Sequence, residues 1–205
     1  MVPSPTVPLL PRAVVALGAL VLLTSGCTGD PGAEDPRTDA PSTAVPLDQV
    51  EVSREDLCGA VEEDLVVAGL PDDESLSVQL VSWGNGDPVG GDPDHDLGLE
   101  VGCTWRVGER ARDPFASVWV FVPPVKVRAA RAWARAEPPQ DCRTVPVTFG
   151  QSGTAWTCRE SKPRETVRWA GLFGDAWLTC ELQGPGAVSR AETFCPGVVR
   201  AAATG

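Results

Sequence analysis

The hydrophobic pattern of this chain opens with a block that has no counterpart later. Residues 13–23 read AVVALGALVLL, eleven apolar or small residues directly after Arg12. A membrane-spanning helix needs about 20 such residues, whereas a secretory h-region has about 7–15. Pro3, Pro5, Pro8 and Pro11 deny the preceding stretch a regular helix. Over residues 28–50, TGDPGAEDPRTDAPSTAVPLDQV, the periodicity vanishes and Pro, Gly, Ser, Thr and acidic residues dominate. Such a segment buries too little apolar surface to offset its ordering entropy, so it reads as a partly extended tether. The pattern resumes at residue 51, and 51–205 has the length of one domain.

From there the pattern predicts an element order. Ser53 can cap a helix ahead of Asp56, and Val52 can staple to Leu57. Leu57, Ala60, Val61, Asp64, Leu65 and Ala68 then share one mostly apolar face, until Gly69-Leu70-Pro71 ends the helix. Alternation of period two predicts strands at 75–83 (SLSVQLVSW), 99–107 (LEVGCTWRV) and 116–122 (ASVWVFV), with Leu76, Val78 and Leu80 on one side of the first. Pro123-Pro124 stops the third. Residues 125–136 predict a helix with Val125, Ala129, Ala132, Trp133 and Ala136 as its buried stripe. Strands follow at 144–149, 154–159, 165–170 and 175–182, then a helix over about 187–202, bent near Cys195-Pro196-Gly197. Strands in runs predict an α+β domain, a largely antiparallel sheet with three helices packed on one face.

Charge narrows the partners. The chain has 17 Lys+Arg against 28 Asp+Glu, a net charge of -11. That balance argues against a nucleic-acid partner. It also argues against the domain itself lying on anionic lipid.

The apolar block ends in Leu23-Thr24-Ser25-Gly26-Cys27. With this ending the chain resembles a bacterial lipoprotein precursor, although Thr24 stands where that family carries an aliphatic residue. The resemblance implies that 1–26 is a signal peptide cleaved after Gly26. It implies a thioether-linked diacylglycerol on Cys27, N-acylation by a fatty acid such as palmitate, and a lipid anchor on the extracytoplasmic face of the cell membrane. Several acyl chains anchor stably where one does so only marginally. Free secretion, with cleavage near Ser25 or Gly26, and an uncleaved anchor are the competing readings.

Cysteine arithmetic supports the first. Seven cysteines less Cys27 leave Cys58, Cys103, Cys142, Cys158, Cys180 and Cys195, an even set of the kind a disulfide framework needs. They lack the close spacing of a zinc knuckle and contain no C-x-x-C redox motif. Leu57-Cys58 in a first helix, followed by Cys103-Thr104-Trp105-Arg106 in a strand, resembles the small actinobacterial lipoproteins of the DUF3558 type over about residues 53–122. That resemblance implies an α+β envelope domain and carries no activity. The preferred pairing joins Cys58 to Cys103, helix to Cys-x-Trp strand, and Cys180 to Cys195, last strand to last helix. Cys142–Cys158 then closes a hairpin. Placement of Cys158 and Cys180 on neighbouring strands would let these last two pairs trade partners.

Candidate chemistry is sparse. In the segment 84–96, Asp87, Asp92, Asp94 and Asp96 offer oxygen ligands to a cation, but the spacing misses the EF-hand pattern and fits a plain hairpin loop better. His95, in the same loop, is the only histidine and hence the only imidazole base. Gly150-Gln151-Ser152-Gly153 lacks the first glycine of a nucleophile elbow and reads as a turn between strands. Arg128, Arg131 and Arg135 form a row beside Trp133, a cationic stripe for a carboxylate-rich partner or anionic glycan. Internal pairing and solubility form its plain alternative. Of seven tryptophans, Trp83, Trp105, Trp119, Trp156, Trp169 and Trp177 fall in strands, where most fill the space between sheet and helices. An exposed one would mark a groove for an apolar or glycan ligand.

These readings converge on a non-enzymatic cell-envelope lipoprotein without a cofactor. It presents a disulfide-stapled binding or accessory domain to an envelope protein, glycan or small ligand. A carrier of a small apolar ligand, with a Trp-lined cavity between sheet and helices, comes second, and an enzyme third.

Overall fold

Seven strands form one antiparallel sheet in the computed structural model of this chain. The structure describes residues 46–71, 77–84, 99–110, 113–161 and 164–204. The strands are β1 (Val78–Gly84), β2 (Glu100–Val107), β3 (Phe115–Phe121), β4 (Cys142–Val145), β5 (Gln151–Ser161), β6 (Arg164–Phe173) and β7 (Ala176–Gln183). Helix α1 (Glu63–Gly69) precedes them, α2 (Val127–Trp133) joins β3 to β4, and α3 (Ala187–Ala201) follows β7. The α+β class and its antiparallel sheet are therefore as expected. Spatial order is β1-β2-β3-β7-β6-β5-β4, so two meanders meet edge to edge along β3 and β7.

Alternating side chains give the sheet two unlike faces. On the first, one cross-strand row reads Cys103, Val118, Cys180, Trp169, Ala155 and Val145. Cys103, Val118, Cys180 and Ala155 in it are fully buried. The core on this side also takes in Leu57, Val61 and Val66 from the N-terminal segment and Phe194, Val198 and Val199 from α3. Phe194 lies edge-on to Trp105 with ring centroids 6.0 Å apart. Gly69 ends α1 against that ring, and a Cβ there would stand 2.6 Å from Phe194, so a bare backbone is what lets α1 and α3 approach. Arg190 Nε donates to Gly69 O at 3.1 Å across the same junction.

The disulfides are Cys58–Cys103, Cys142–Cys158 and Cys180–Cys195. Alternation forbids the trade between Cys158 and Cys180. Cys180 points to the first face, beneath α3, whereas Cys158 faces Cys142 across the β4–β5 ladder on the second.

Several expectations need correction. The helices occupy both faces: α2 packs Ala130 over Leu172, with Phe121 and Trp177 beside it, on the face opposite α1 and α3. The helix expected to follow a Ser53 cap, from Arg54, begins nine residues later, at Glu63. Its proposed cap, Ser53, instead accepts the Glu55 N–H at 3.0 Å. Asp56 adopts φ 49° and accepts the Gly59 N–H at 3.3 Å. These local side-chain bonds hold residues 53–61 as turns, and Cys58 sits in a turn. Of the predicted α2 stripe, Val125 and Ala129 pack inward, but Ala130 is the fully buried residue of the helix and Ala132 and Ala136 are exposed. α3 runs through Pro196 as one helix. On the edge strand β1, Val78 and Leu80 on one side and Val81 on the other are 45%, 54% and 43% exposed. The domain also starts before residue 51: Leu47–Gln49 form a 3-10 turn, and Val50 belongs to the core. Val52 bridges to Ala203, which fastens the N-terminal segment to the end of α3.

Candidate functional site

The β3–α2 connection places the cationic stripe. After Pro123-Pro124, Val125 N donates to Asp175 O at 2.8 Å, which pins the approach to α2 to the β6–β7 turn. Ala130 then faces the sheet. At about 100° per residue, the side of α2 away from Ala130 carries Arg128 and Arg131, and Arg135 continues that side in the next turn. All three are exposed, as is Lys126 at the helix boundary. Arg135 Nε donates to Arg131 O at 3.0 Å. None of Lys126, Arg128 and Arg131 has an ion-pair partner among the described residues. The plain alternative of internal pairing therefore does not apply to them. Trp133, expected in the buried stripe, is 40% exposed and lies edge-on to Phe121 at 5.5 Å and Trp177 at 5.4 Å.

A second cation on this face is in a different state. The row Thr104, Ser117, Glu181, Arg168, Trp156 and Thr144 crosses six strands. The Arg168 guanidinium carbon lies 5.2 Å from the Trp119 ring centre and 4.9 Å from that of Trp156. Its Nε donates to Glu181 Oε2. Thr104 and Ser117 hydroxyls meet at 2.8 Å, and Ser117 Oγ donates to Cys103 O at 3.1 Å. Arg168 is thus neutralised by a carboxylate and covered by two indoles. It lines an open cleft of about 330 Å³ with Pro139–Cys142, Trp156, Cys158, Thr166 and Glu181. Sequence reasoning missed this cluster. Each member is visible as a strand residue, but only the register across β5, β6, β7 and β3 brings them together.

Two further clefts open at the surface. One, of about 850 Å³, borders Glu51, Arg54, Glu55, Phe173, Asp175 and Thr204. Arg54 serves there as a clasp, bonding Asp175 Oδ1 at 2.9 Å, Asp175 O at 2.9 Å and Phe121 O at 3.2 Å. The other, of about 310 Å³, lies beside Cys58 and Trp83.

Ser152 is not in a turn between strands. It belongs to β5 with φ 56°, where the β5–β6 register shifts between Gln151 and Thr154. Cys27 lies outside the described residues, as do Asp87, Asp92, Asp94, His95 and Asp96. Among the described residues, no three His, Cys, Asp or Glu side chains are grouped to hold a metal ion. Among them, too, no helix is long and apolar enough to cross a membrane. No family model matches the chain, and no curated protein matches it either.

Proposed function

We propose that this protein is a cell-envelope lipoprotein that holds a non-enzymatic, disulfide-stapled binding or accessory domain outside the cytoplasmic membrane. One observation carries the reading. The three disulfides use six of the seven cysteines, and the remaining one, Cys27, stands at the end of the apolar block. An oxidising compartment favours such pairing. A lone thiol at the edge of a secretory h-region is the position that thioether acylation uses. The acyl chains then supply the membrane attachment, and the domain works by contact. Packing favours contact over carriage, because Leu57, Trp105 and Phe194 occupy the space between sheet and helices where a ligand cavity was the alternative.

The experiment expresses the whole chain with and without Cys27→Ser and fractionates the cells, washing membranes in high salt. The parent chain is expected to stay in washed membranes and to incorporate labelled fatty acid. The variant is expected in the soluble fraction, unlabelled, with its three disulfides intact. A variant retained in salt-washed membranes overturns the anchor.

A further inference from the structure

We infer that the arginine face of α2 docks this domain onto a surface of anionic phospholipid. The inference rests on the membrane-anchored reading above and names the partner of the exposed face. Between residues 126 and 135 the chain carries four cations and no acidic residue. Arg168, on the same side of the sheet, is already neutralised by Glu181, and Arg106 is half-buried over Phe115, so among the described residues the exposed cations of this face are those of the α2 segment. A row of unpaired guanidiniums calls for an anionic partner with several charges.

The apolar residues on α2 choose among such partners. Val127, about 40° round α2 from Arg131, is 40% exposed beside the arginines, whereas the equally exposed Trp133 lies on the sheet side of the helix. Trp133 continues into the half-buried rings of Phe121 and Trp177. An acidic peptide or wall polymer would satisfy the guanidiniums and leave Val127 in water. A bilayer interface takes both kinds of group, with the arginines at the phosphates and Val127 at the headgroup boundary.

The chain's net charge of -11 opposes this only if the acidic residues sit beside the arginines. Many do not. Exposed Glu62, Glu63 and Asp64 lie at α1, on the other face of the sheet. Layers about 10 Å apart put the two helices on the order of 20 Å from each other. That exceeds two Debye lengths of about 8 Å at physiological salt. Repulsion from α1 is therefore largely screened at α2, and it turns the acidic side away from the bilayer. The Cys27 anchor raises the effective concentration of the surface, so weak docking suffices.

The test uses the secreted whole chain carrying Cys27→Ser, which removes the anchor and isolates the docking. It is sedimented with vesicles of phosphatidylcholine alone, or of phosphatidylcholine with about one-third phosphatidylglycerol. Binding is expected to the anionic vesicles only and to weaken as salt rises from about 0.1 M to about 0.5 M. Reversing Arg128, Arg131 and Arg135 to Glu should reduce it by roughly tenfold or more. The triple Lys variant should retain it. Reversal of the exposed Arg110, Arg159 and Arg200, an equal change in net charge, should leave most of it. Three outcomes overturn the inference: no binding to anionic vesicles, equal binding to neutral ones, or equal loss in the two Glu triples. Loss of the Cys27 anchor shows in fractionation of the parent chain instead, so the two readings fail separately.

Discussion

Two neighbouring rows cross the same strands one residue apart and share almost nothing. Cys103, Val118, Cys180, Trp169 and Ala155 point to one face, while Thr104, Ser117, Glu181, Arg168 and Trp156 point to the other. Cys103 and Cys180 in the first row are fully buried, and each is bonded to a different covering segment, at Cys58 and at Cys195. In the second row Arg168 and Glu181 keep 29% and 15% of their side chains exposed. The difference follows from cover. α3, fifteen residues long, buries six of them on the first face with Phe194 at its centre, whereas α2, seven residues long, buries Ala130 at one end of the second. A single set of strands thus builds stability on one side and leaves chemistry on the other.

The largest expected break in this comparison is Phe194→Ala. Phe194 is fully buried and seated between Trp105 and Gly69, so its removal leaves a cavity between sheet, α1 and α3. The loss should be about 3–5 kcal/mol in denaturant unfolding with the disulfides intact. Trp133→Ala on the second face removes a comparable ring that is 40% exposed, and should cost clearly less. Equal losses would show that the two faces are equally closed.

Disulfide removal sharpens the same contrast. Cys142–Cys158 and Cys180–Cys195 span 16 and 15 residues, so loop entropy gives both about 3 kcal/mol. Any difference between them reports the native state. Cys180 and Cys195 are fully buried, whereas Cys142 and Cys158 are half-buried at the β4 edge. Replacing Cys180 and Cys195 together by Ala should therefore cost more than replacing Cys142 and Cys158, by about 1–2 kcal/mol for the lost packing. Equal midpoint shifts in urea would assign both staples to chain entropy alone.

The parts of this fold legible beforehand share a physical cause. Strand alternation survives in a single sequence, so six strands and the helix after β7 could be read from residue order, whereas the expected 144–149 meets β4 only at Thr144 and Val145. The disulfides were legible because two of the three pairs join consecutive elements. The first helix misled because Ser53 and Asp56 cap turns as readily as helices, and their bonds here are local. The α2 stripe misled because Ala and Trp at mixed spacing admit more than one phase, and the packing of Ala130 decides it. The side of the sheet that α2 covers depends on Phe121 and Trp177 facing away from the main core, a matter of register. The arginine row was legible as composition, but its freedom from partners was not. The Arg168 cluster needed four strands in order before it existed at all.

That cluster gives the smallest and most discriminating effect. Arg168 and the α2 row carry the same side chain on the same face, yet one is engaged and the other free. A double-mutant cycle with Arg168→Leu and Glu181→Gln measures the engagement directly. Removing Arg168 alone leaves a carboxylate that is 15% exposed without its cation, and strips the guanidinium from between two indoles. The coupling energy should be about 1–2 kcal/mol. Because Arg168 lies over Trp119 and Trp156 and Glu181 is only 15% exposed, it should persist at about 0.5 M salt, where charges in open solvent are screened within a few ångströms. Vesicle binding through Arg128, Arg131 and Arg135 should collapse over the same range. A coupling below about 0.5 kcal/mol, or one that salt abolishes, would place Arg168 among the solvated cations. The distinction between an arginine that holds the fold and arginines that face a partner would then be lost.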